Sequence, residues 1–272
     1  MRSYLFVPGT DARLVPKALR SDADVVVLDL EDAVVPGQQS NGRAVLLEHA
    51  PEIAARPTHL RVGWSGDRYA AEDVELAIAI GVTALRLPKA EGASMIEPIL
   101  ETLPGQSALH IHPTIESALG LTEVAEMAAC SSAVERFVFG ERDFIADLGI
   151  DEPGPLTDHA RAELAIRSRA AGLLPPIDGA YIHFGDPAGL RRSAERARTL
   201  GFWGKSAIHP AQLSVIHDVF SHSREQIEWA ERVTVAYEEA LSRGRAVSIV
   251  DGTFVDAAVV RRAREILGGQ VR

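Results

Sequence analysis

A single cysteine, Cys130, stands among 272 residues. One thiol can form neither an internal disulfide nor a cysteine-rich zinc site, and a reducing, cytoplasmic setting is the simplest reading. Long apolar runs are missing too. None approaches the roughly 20 residues that a membrane helix needs. The N-terminal MRSYLFVPGT reads as a strand rather than a secretory signal. Positive charge is scarce: 28 Lys and Arg face 38 Asp and Glu, a formal net charge of -10. Duplex-binding proteins carry a basic footprint, so this balance speaks against nucleic acid as a partner. No GxGxxG turn follows an early strand, which argues against a dinucleotide-binding open sheet. GFWGKS, Gly201 to Ser206, ends like a phosphate loop, but its glycines stand too close together for one. What remains is an ordinary globular composition, 46% hydrophobic and 24% charged, which excludes disorder as the main description.

The pattern that is present is a series of eight short apolar runs, each closing on polar residues. They are Ser3 to Gly9, Asp24 to Asp32, His59 to Trp64, Ala84 to Lys89, Ala108 to Glu116, Arg136 to Asp143, Ala180 to Asp186 and Lys205 to Pro210. Each is too short for a typical helix and rich in β-branched or aromatic residues. Helical patterns lie between them. Ala71 to Ile80 is apolar at helical spacing and stops at Gly81. Thr157 offers an N-cap to a helix that Gly172 closes. Ser223 and Gln226 form a capping-box pair ahead of a long amphipathic stretch.

Strands alternating with helices predict parallel βαβ units, and eight units in this length predict an α/β fold of the (β/α)8 TIM-barrel type. A doubly wound open sheet is the alternative. The barrel occupies residues 1–222. Residues 223–272 are left as a C-terminal extension: a long helix, an exposed segment and a final helix. Such a tail caps the barrel, reaches a neighbouring subunit or packs outside.

Barrel chemistry is found at the C-terminal ends of the strands. There the sequence gathers Asp29, Glu31 and Asp32 after strand two, Arg61 on strand three and Lys89 after strand four. Glu116, Asp143, Asp186 and His209 close the later strands. A purely structural rim has no need of so many ionisable groups. Glu116 and Asp143 offer two hard oxygen donors from neighbouring strands, the pattern Mg²⁺ prefers; the alternative is that one of them only pairs with a cation. Arg61 can fork onto a substrate carboxylate or stabilise an enolate, or else pair with the rim acids. Asp32 can sit beside the metal's waters or move a proton. Asp29 reads as structural. His110 and His112 form an HxH that could bind zinc, but they precede Glu116 and read as packed within the strand. Cys130 has no adjacent His and reads as inert.

The combination of RSYLFVPGTDARLVPKAL, ADVVVLDLEDAV, LRLPKAE, PTIESALGL, FGERDFIADLG, GFWGKSAIHPAQL and DGTFVDAAVVRRAREIL strongly resembles the citrate lyase β-subunit (CitE-like) branch of the HpcH/HpaI aldolase family. The likeness runs in order along almost the whole chain. It implies a Mg²⁺-dependent carbon–carbon lyase acting on citryl, malyl, citramalyl or related β-hydroxyacyl thioesters, with coenzyme A as part of the substrate. It implies a homotrimer or a dimer of trimers. The implied metal ligands are Glu116 and Asp143, and the implied catalytic groups are Arg61, Asp32, Glu31 and Asp256. The last lies in a tail that reaches a neighbouring subunit's site. The implied substrate contacts are Arg61, Arg13, Gln39, Arg43 and Lys89.

The chain departs from the family pattern at three places. Gln39 stands where relatives carry a lysine, ahead of Arg43, that the resemblance assigns to holding the coenzyme A moiety. Gly63 follows Arg61-Val62 where relatives often have Asn. Ala257 follows Asp256 in place of a proline. The metal site is intact and the thioester end is altered. Three rivals therefore stand beside the lyase: an acyl-CoA thioester hydrolase, an oxoacid decarboxylase on the same metal site, and a β-subunit active only inside a larger citrate lyase complex.

Overall fold

The computed structural model describes residues 1–66, 68–103 and 108–268. The chain forms two compact units, Met1–Phe220 and Ser221–Arg272.

The first unit is built on eight strands: β1 (Ser3–Pro8), β2 (Val25–Asp29), β3 (Thr58–Arg61), β4 (Ala84–Leu87), β5 (His110–Ile115), β6 (Val138–Phe139), β7 (Ile177–Asp178) and β8 (Gly204–Ala207). Each pairs in parallel with the next, and β8 returns to β1 to close the barrel. The closed parallel barrel is the predicted (β/α)8 architecture. β2, VVVLD, is buried at every position, as a strand covered on both faces must be. Alternate residues go to different cores. Tyr4, Val25, Val27, Val138 and Ile177 fill the lumen, while Leu5, Val7, Val26 and Leu28 join the larger core shared with the helices.

Strand seven differs from its expected place. The short apolar run AYIHFGD suggested Ala180 to Asp186, but the paired residues are Ile177, against Val138 and Gly204, and Asp178, against Lys205. At Gly179 a Cβ would lie 2.7 Å from the carbonyl oxygen of Phe139, so the chain passes close over β6 there. Residues 180–186 are loop. Asp186 is not a strand end; it caps the helix Pro187–Thr199 by accepting from the Gly189 N–H at 2.9 Å. Thr157 is likewise not an N-cap. The helix Pro155–Ala170 starts at its proline, and Thr157 sits in the first turn with Oγ1 accepting from the Gly154 N–H at 3.0 Å.

In the second unit, Ser223 and Gln226 cap the helix Arg224–Ser242 reciprocally, as their spacing predicted. The segment expected to be merely exposed forms a hairpin, β9 (Ser248–Val250) and β10 (Thr253–Val255), turned by Asp251-Gly252, both at positive φ. The helix Ala257–Gly268 follows. This unit has its own core of Ala230, Val233, Val250, Val255, Val260, Ala263 and Ile266. Among the described residues no helix is long and apolar enough to cross a membrane.

Candidate active site

The strand register sets the site. Asp29 ends β2 directly beside Arg61 on β3, and Arg61 stands beside Arg86 on β4. Asp29 is buried, and its two oxygens accept from Arg61 Nε at 2.8 Å and Nη2 at 2.6 Å. This bidentate fork fixes the guanidinium plane. The same carboxylate accepts from the N–H groups of Glu31 at 2.9 Å and Ala33 at 3.3 Å, so it also shapes the turn after β2. The remaining Arg61 nitrogen, Nη1, lies 2.9 Å from Glu31 Oε2 and 3.0 Å from Asp32 Oδ2. Burial works against the Arg61 charge, but Asp29, Glu31 and Asp32 outweigh it and raise its pKa.

Lys89 is held in the left-handed backbone region, φ 51°, rare for a residue with a Cβ. That conformation aims two donors at the site. Its Nζ donates to Glu31 Oε1 at 2.5 Å, and its backbone N–H donates to Glu116 Oε2 at 3.2 Å. Tyr69 donates its hydroxyl to the Pro88 carbonyl at 2.7 Å, which anchors the turn from the other side.

Glu116 follows β5 and is buried. Burial pushes its carboxyl up to about 8, and Asp143 and Glu31 push the same way. Burial likewise raises Glu31, against the pull of Arg61 and Lys89. Asp143 lies in the first turn of the helix Glu141–Leu148, exposed to solvent. Gly140, three residues before Asp143, packs against Glu116. A Cβ there would lie 2.4 Å from Glu116 Cγ and 3.1 Å from Oε1, so the glycine leaves the room that the carboxylate occupies. Gly140→Ala is expected to displace Glu116 and cut kcat/KM by about 10²-fold, the usual effect of a misplacement near 1 Å. Steady-state kinetics alongside a thermal melt will check this.

Asp29, Glu31 and Asp32 thus pair with Arg61 or Lys89, whereas among the described residues no arginine or lysine side chain is hydrogen-bonded to Glu116 or Asp143. A hard divalent cation fits that deficit. No cluster of three or more His, Cys, Asp or Glu is placed to hold a metal among the described residues. Two carboxylates suit Mg²⁺, which keeps several waters.

The other expected substrate contacts lie apart from this cluster in their bonding. Arg43 Nη1 donates to the buried Asp73 at 2.7 Å, and Asp73 also accepts from the Gly63 N–H at 2.7 Å. Gln39 Oε1 accepts from the Gly37 N–H at 2.9 Å. Arg13 is 89% exposed, 3.7 Å from Asp11. Asp256 belongs to the second unit, where its Oδ1 accepts from the N–H groups of Ala258 and Val259 at 2.9 and 3.0 Å. His112 is packed as expected, 2.9 Å from Glu135 and edge-on to His59, and burial lowers it well below the usual histidine range. His110 is exposed at the start of β5, the end opposite Glu116. Lys205 of the phosphate-loop lookalike is buried in β8 against Asp178. Sequence reasoning missed the Asp29 grip on Arg61, the Tyr69 anchor and the space at Gly140.

A closed eight-stranded parallel barrel with this acid-rich rim places the chain among the (β/α)8-barrel proteins whose chemistry sits at the strand ends. The chain belongs to the HpcH/HpaI aldolase/citrate lyase family, whose profile matches residues 2–210. It is 34% identical over 269 residues to a (3S)-malyl-CoA thioesterase of Cereibacter sphaeroides, covering 98% of this chain and 93% of the relative. It is 30% identical to human mitochondrial citramalyl-CoA lyase, over 97% of this chain and 83% of the relative. Among solved structures, the CitE protein of Mycobacterium tuberculosis, in complex with magnesium, acetoacetate and coenzyme A, superposes with a TM-score of 0.79 at 27% identity, over 99% of this chain and 98% of that one.

Proposed function

We propose that this protein is a Mg²⁺-dependent carbon–carbon lyase that cleaves a β-hydroxyacyl coenzyme A thioester, of the citryl, citramalyl or malyl type, into an acyl thioester and an oxoacid. The observation that carries this reading is the Glu116–Asp143 pair, short of cationic partners, beside the doubly gripped Arg61. Relatives named for citramalyl-CoA lyase and the citrate lyase β-subunit support the reaction class.

Glu116 and Asp143 would hold Mg²⁺, which when bound supplies Lewis-acid stabilisation to the oxygen that becomes the oxoacid carbonyl. Arg61, its plane set by Asp29, offers Nη1 to the substrate carboxylate in exchange for Asp32 and Glu31. Asp32, 58% exposed, is placed to take the hydroxyl proton. The carbon–carbon bond breaks as the C=O forms, and its electrons pass to the thioester α-carbon as an enolate. A proton completes the acyl thioester. Asp256 from a neighbouring copy is the proposed donor, in a homotrimer or dimer of trimers. Lys89 holds Glu31 and the Glu116 carboxylate in register. Arg13 is the proposed contact for the coenzyme A phosphates; Arg43, already committed to Asp73, shapes the wall beneath Gly63.

A thioester hydrolase is the second reading, favoured by the malyl-CoA thioesterases at 34% identity. Chromatography of the products separates the two. Acyl-CoA with free oxoacid supports the lyase. Free coenzyme A with intact hydroxyacid supports the hydrolase and overturns the first reading.

The raised pKa of Glu116 predicts a pH effect. Its folded value, about 8, exceeds the ordinary 4.5, so the folded protein binds the extra proton between them. Stability of the metal-free protein then falls as pH rises through that window. Mg²⁺ binds the carboxylate and is expected to raise the melting temperature more at pH 8 than at pH 6 once saturating. Equal shifts at both values would contradict the assignment.

A further inference from the structure

We infer that Arg161 is a positioning residue that, through Glu141, holds the turn after β6 so that Asp143 and Glu116 meet. The inference rests on the metal reading above. Arg161 lies on the helix Pro155–Ala170, with its side chain 4% exposed. Its Nη2 contacts Glu141 Oε1 at 2.7 Å, and its Nε donates to Asp178 Oδ1 at 2.8 Å. Lys205 Nζ donates to the other Asp178 oxygen. The Arg161 guanidinium also lies over the Phe139 ring, 4.8 Å from its centroid. Three buried charges, Lys205, Asp178 and Arg161, thus link β8, β7 and the helix to the half-buried Glu141, two residues before Asp143.

Buried ion pairs are poor sources of stability, because desolvation consumes most of the Coulombic gain. Apolar residues of the same volume would serve the core as well. What the network supplies is direction. It acts where the backbone ladder is thinnest: β6 and β7 have two residues each and share a single paired position, Val138 with Ile177. The turn Phe139-Gly140-Glu141 has little strand to fix it. It is also pressed from below. A Cβ at Gly179 would sit 2.7 Å from the Phe139 oxygen and 3.4 Å from the Glu141 nitrogen. Arg161 grips this turn on both sides, stacking on Phe139 and bonding Glu141. Gly140, between them, gives Glu116 its space, and Asp143 rides on the helix that Glu141 begins.

Glu141→Ala is the test, because it cuts the link to the turn and leaves Arg161 paired with Asp178. Arg161→Met strands Asp178 with Lys205 alone and serves as a second variant if it folds. Mn²⁺ affinity is measured by water-proton relaxation, with a thermal melt of the metal-free protein beside it. Glu141→Ala is expected to weaken Mn²⁺ binding at least tenfold while the metal-free melting temperature stays near that of the parent. Glu141→Gln, which keeps a hydrogen-bond acceptor, is expected to recover most of the affinity. Unchanged Mn²⁺ affinity in Glu141→Ala overturns the inference, as does a Glu141→Gln variant as weak as the alanine. Asp143→Asn is the control for the underlying reading. If it too binds Mn²⁺ like the parent, the metal site itself is misassigned.

Discussion

Glu116→Gln is expected to give a protein that is inactive yet more stable without metal. The carboxyl is buried beside Asp143 and Glu31, and ionising it above its ordinary pKa costs folding free energy. An amide removes that cost and keeps an acceptor for the Lys89 N–H. The same change removes half of the proposed ligand pair. Activity in saturating substrate is therefore expected to fall on the order of 10³-fold or more, the scale seen when a group aimed at developing charge is lost. Above pH 8 the metal-free variant is expected to melt higher than the parent, and the difference to vanish near pH 5. Asp143→Asn is expected to share the activity loss. A Glu116→Gln variant with full metal-dependent lyase activity would sink the scheme.

Arg61→Met is expected to fail in both respects. Asp29 is 3% exposed and, among the described residues, would keep only backbone donors, from Glu31 and Ala33. Removing one partner of a buried pair costs about 3–5 kcal/mol. For a domain this size that is a fall of roughly 10 °C or more in melting temperature. Arg61→Lys separates charge from geometry. It keeps the cation but loses the planar fork, and a single ammonium cannot satisfy Asp29 and a substrate carboxylate together. It is expected to fold, with kcat/KM still reduced by about 10²-fold or more. Denaturant melts and steady-state kinetics on both variants will check this. Near-parent activity in Arg61→Lys would mean the fork is dispensable.

The strand ends were readable because polar residues close apolar runs, and the barrel places those ends on one rim. Glu116, Arg61, Glu31 and Lys89 were each placed at or just past a strand end this way, while Asp143, expected to close strand six, lies in the first turn of the helix after it. Their pairings were not readable, because hydrogen-bond partners come from strands tens of residues apart. Asp29 and Arg61 are separated by 32 positions. Arg43, set beside Gln39 by resemblance, is bound to Asp73, 30 positions on. β7 was misplaced for a related reason. Its two paired residues are too few to leave a run of their own, and the apolar loop after it supplied a false one. Asp178 then passed unnoticed, and Lys205 was read only as a strand start and part of a phosphate-loop lookalike; each is a charge inside a short apolar stretch, the local sign of their buried pairing.

The barrel lumen below the site is filled. Tyr4, His59, Arg86 and His112 are all buried, with Val25, Val27, Val138 and Ile177 packed among them. The far end of the barrel therefore offers no way through. In the proposed cleavage two fragments are made from one substrate, and both must leave by the mouth through which it came. If the oxoacid sits deeper, against Glu116 and Arg61, with the acyl thioester above it, the thioester is expected to depart first. Synthesis run in reverse loads in the opposite order, oxoacid before thioester. A plugged barrel thus turns a two-product reaction into a queue.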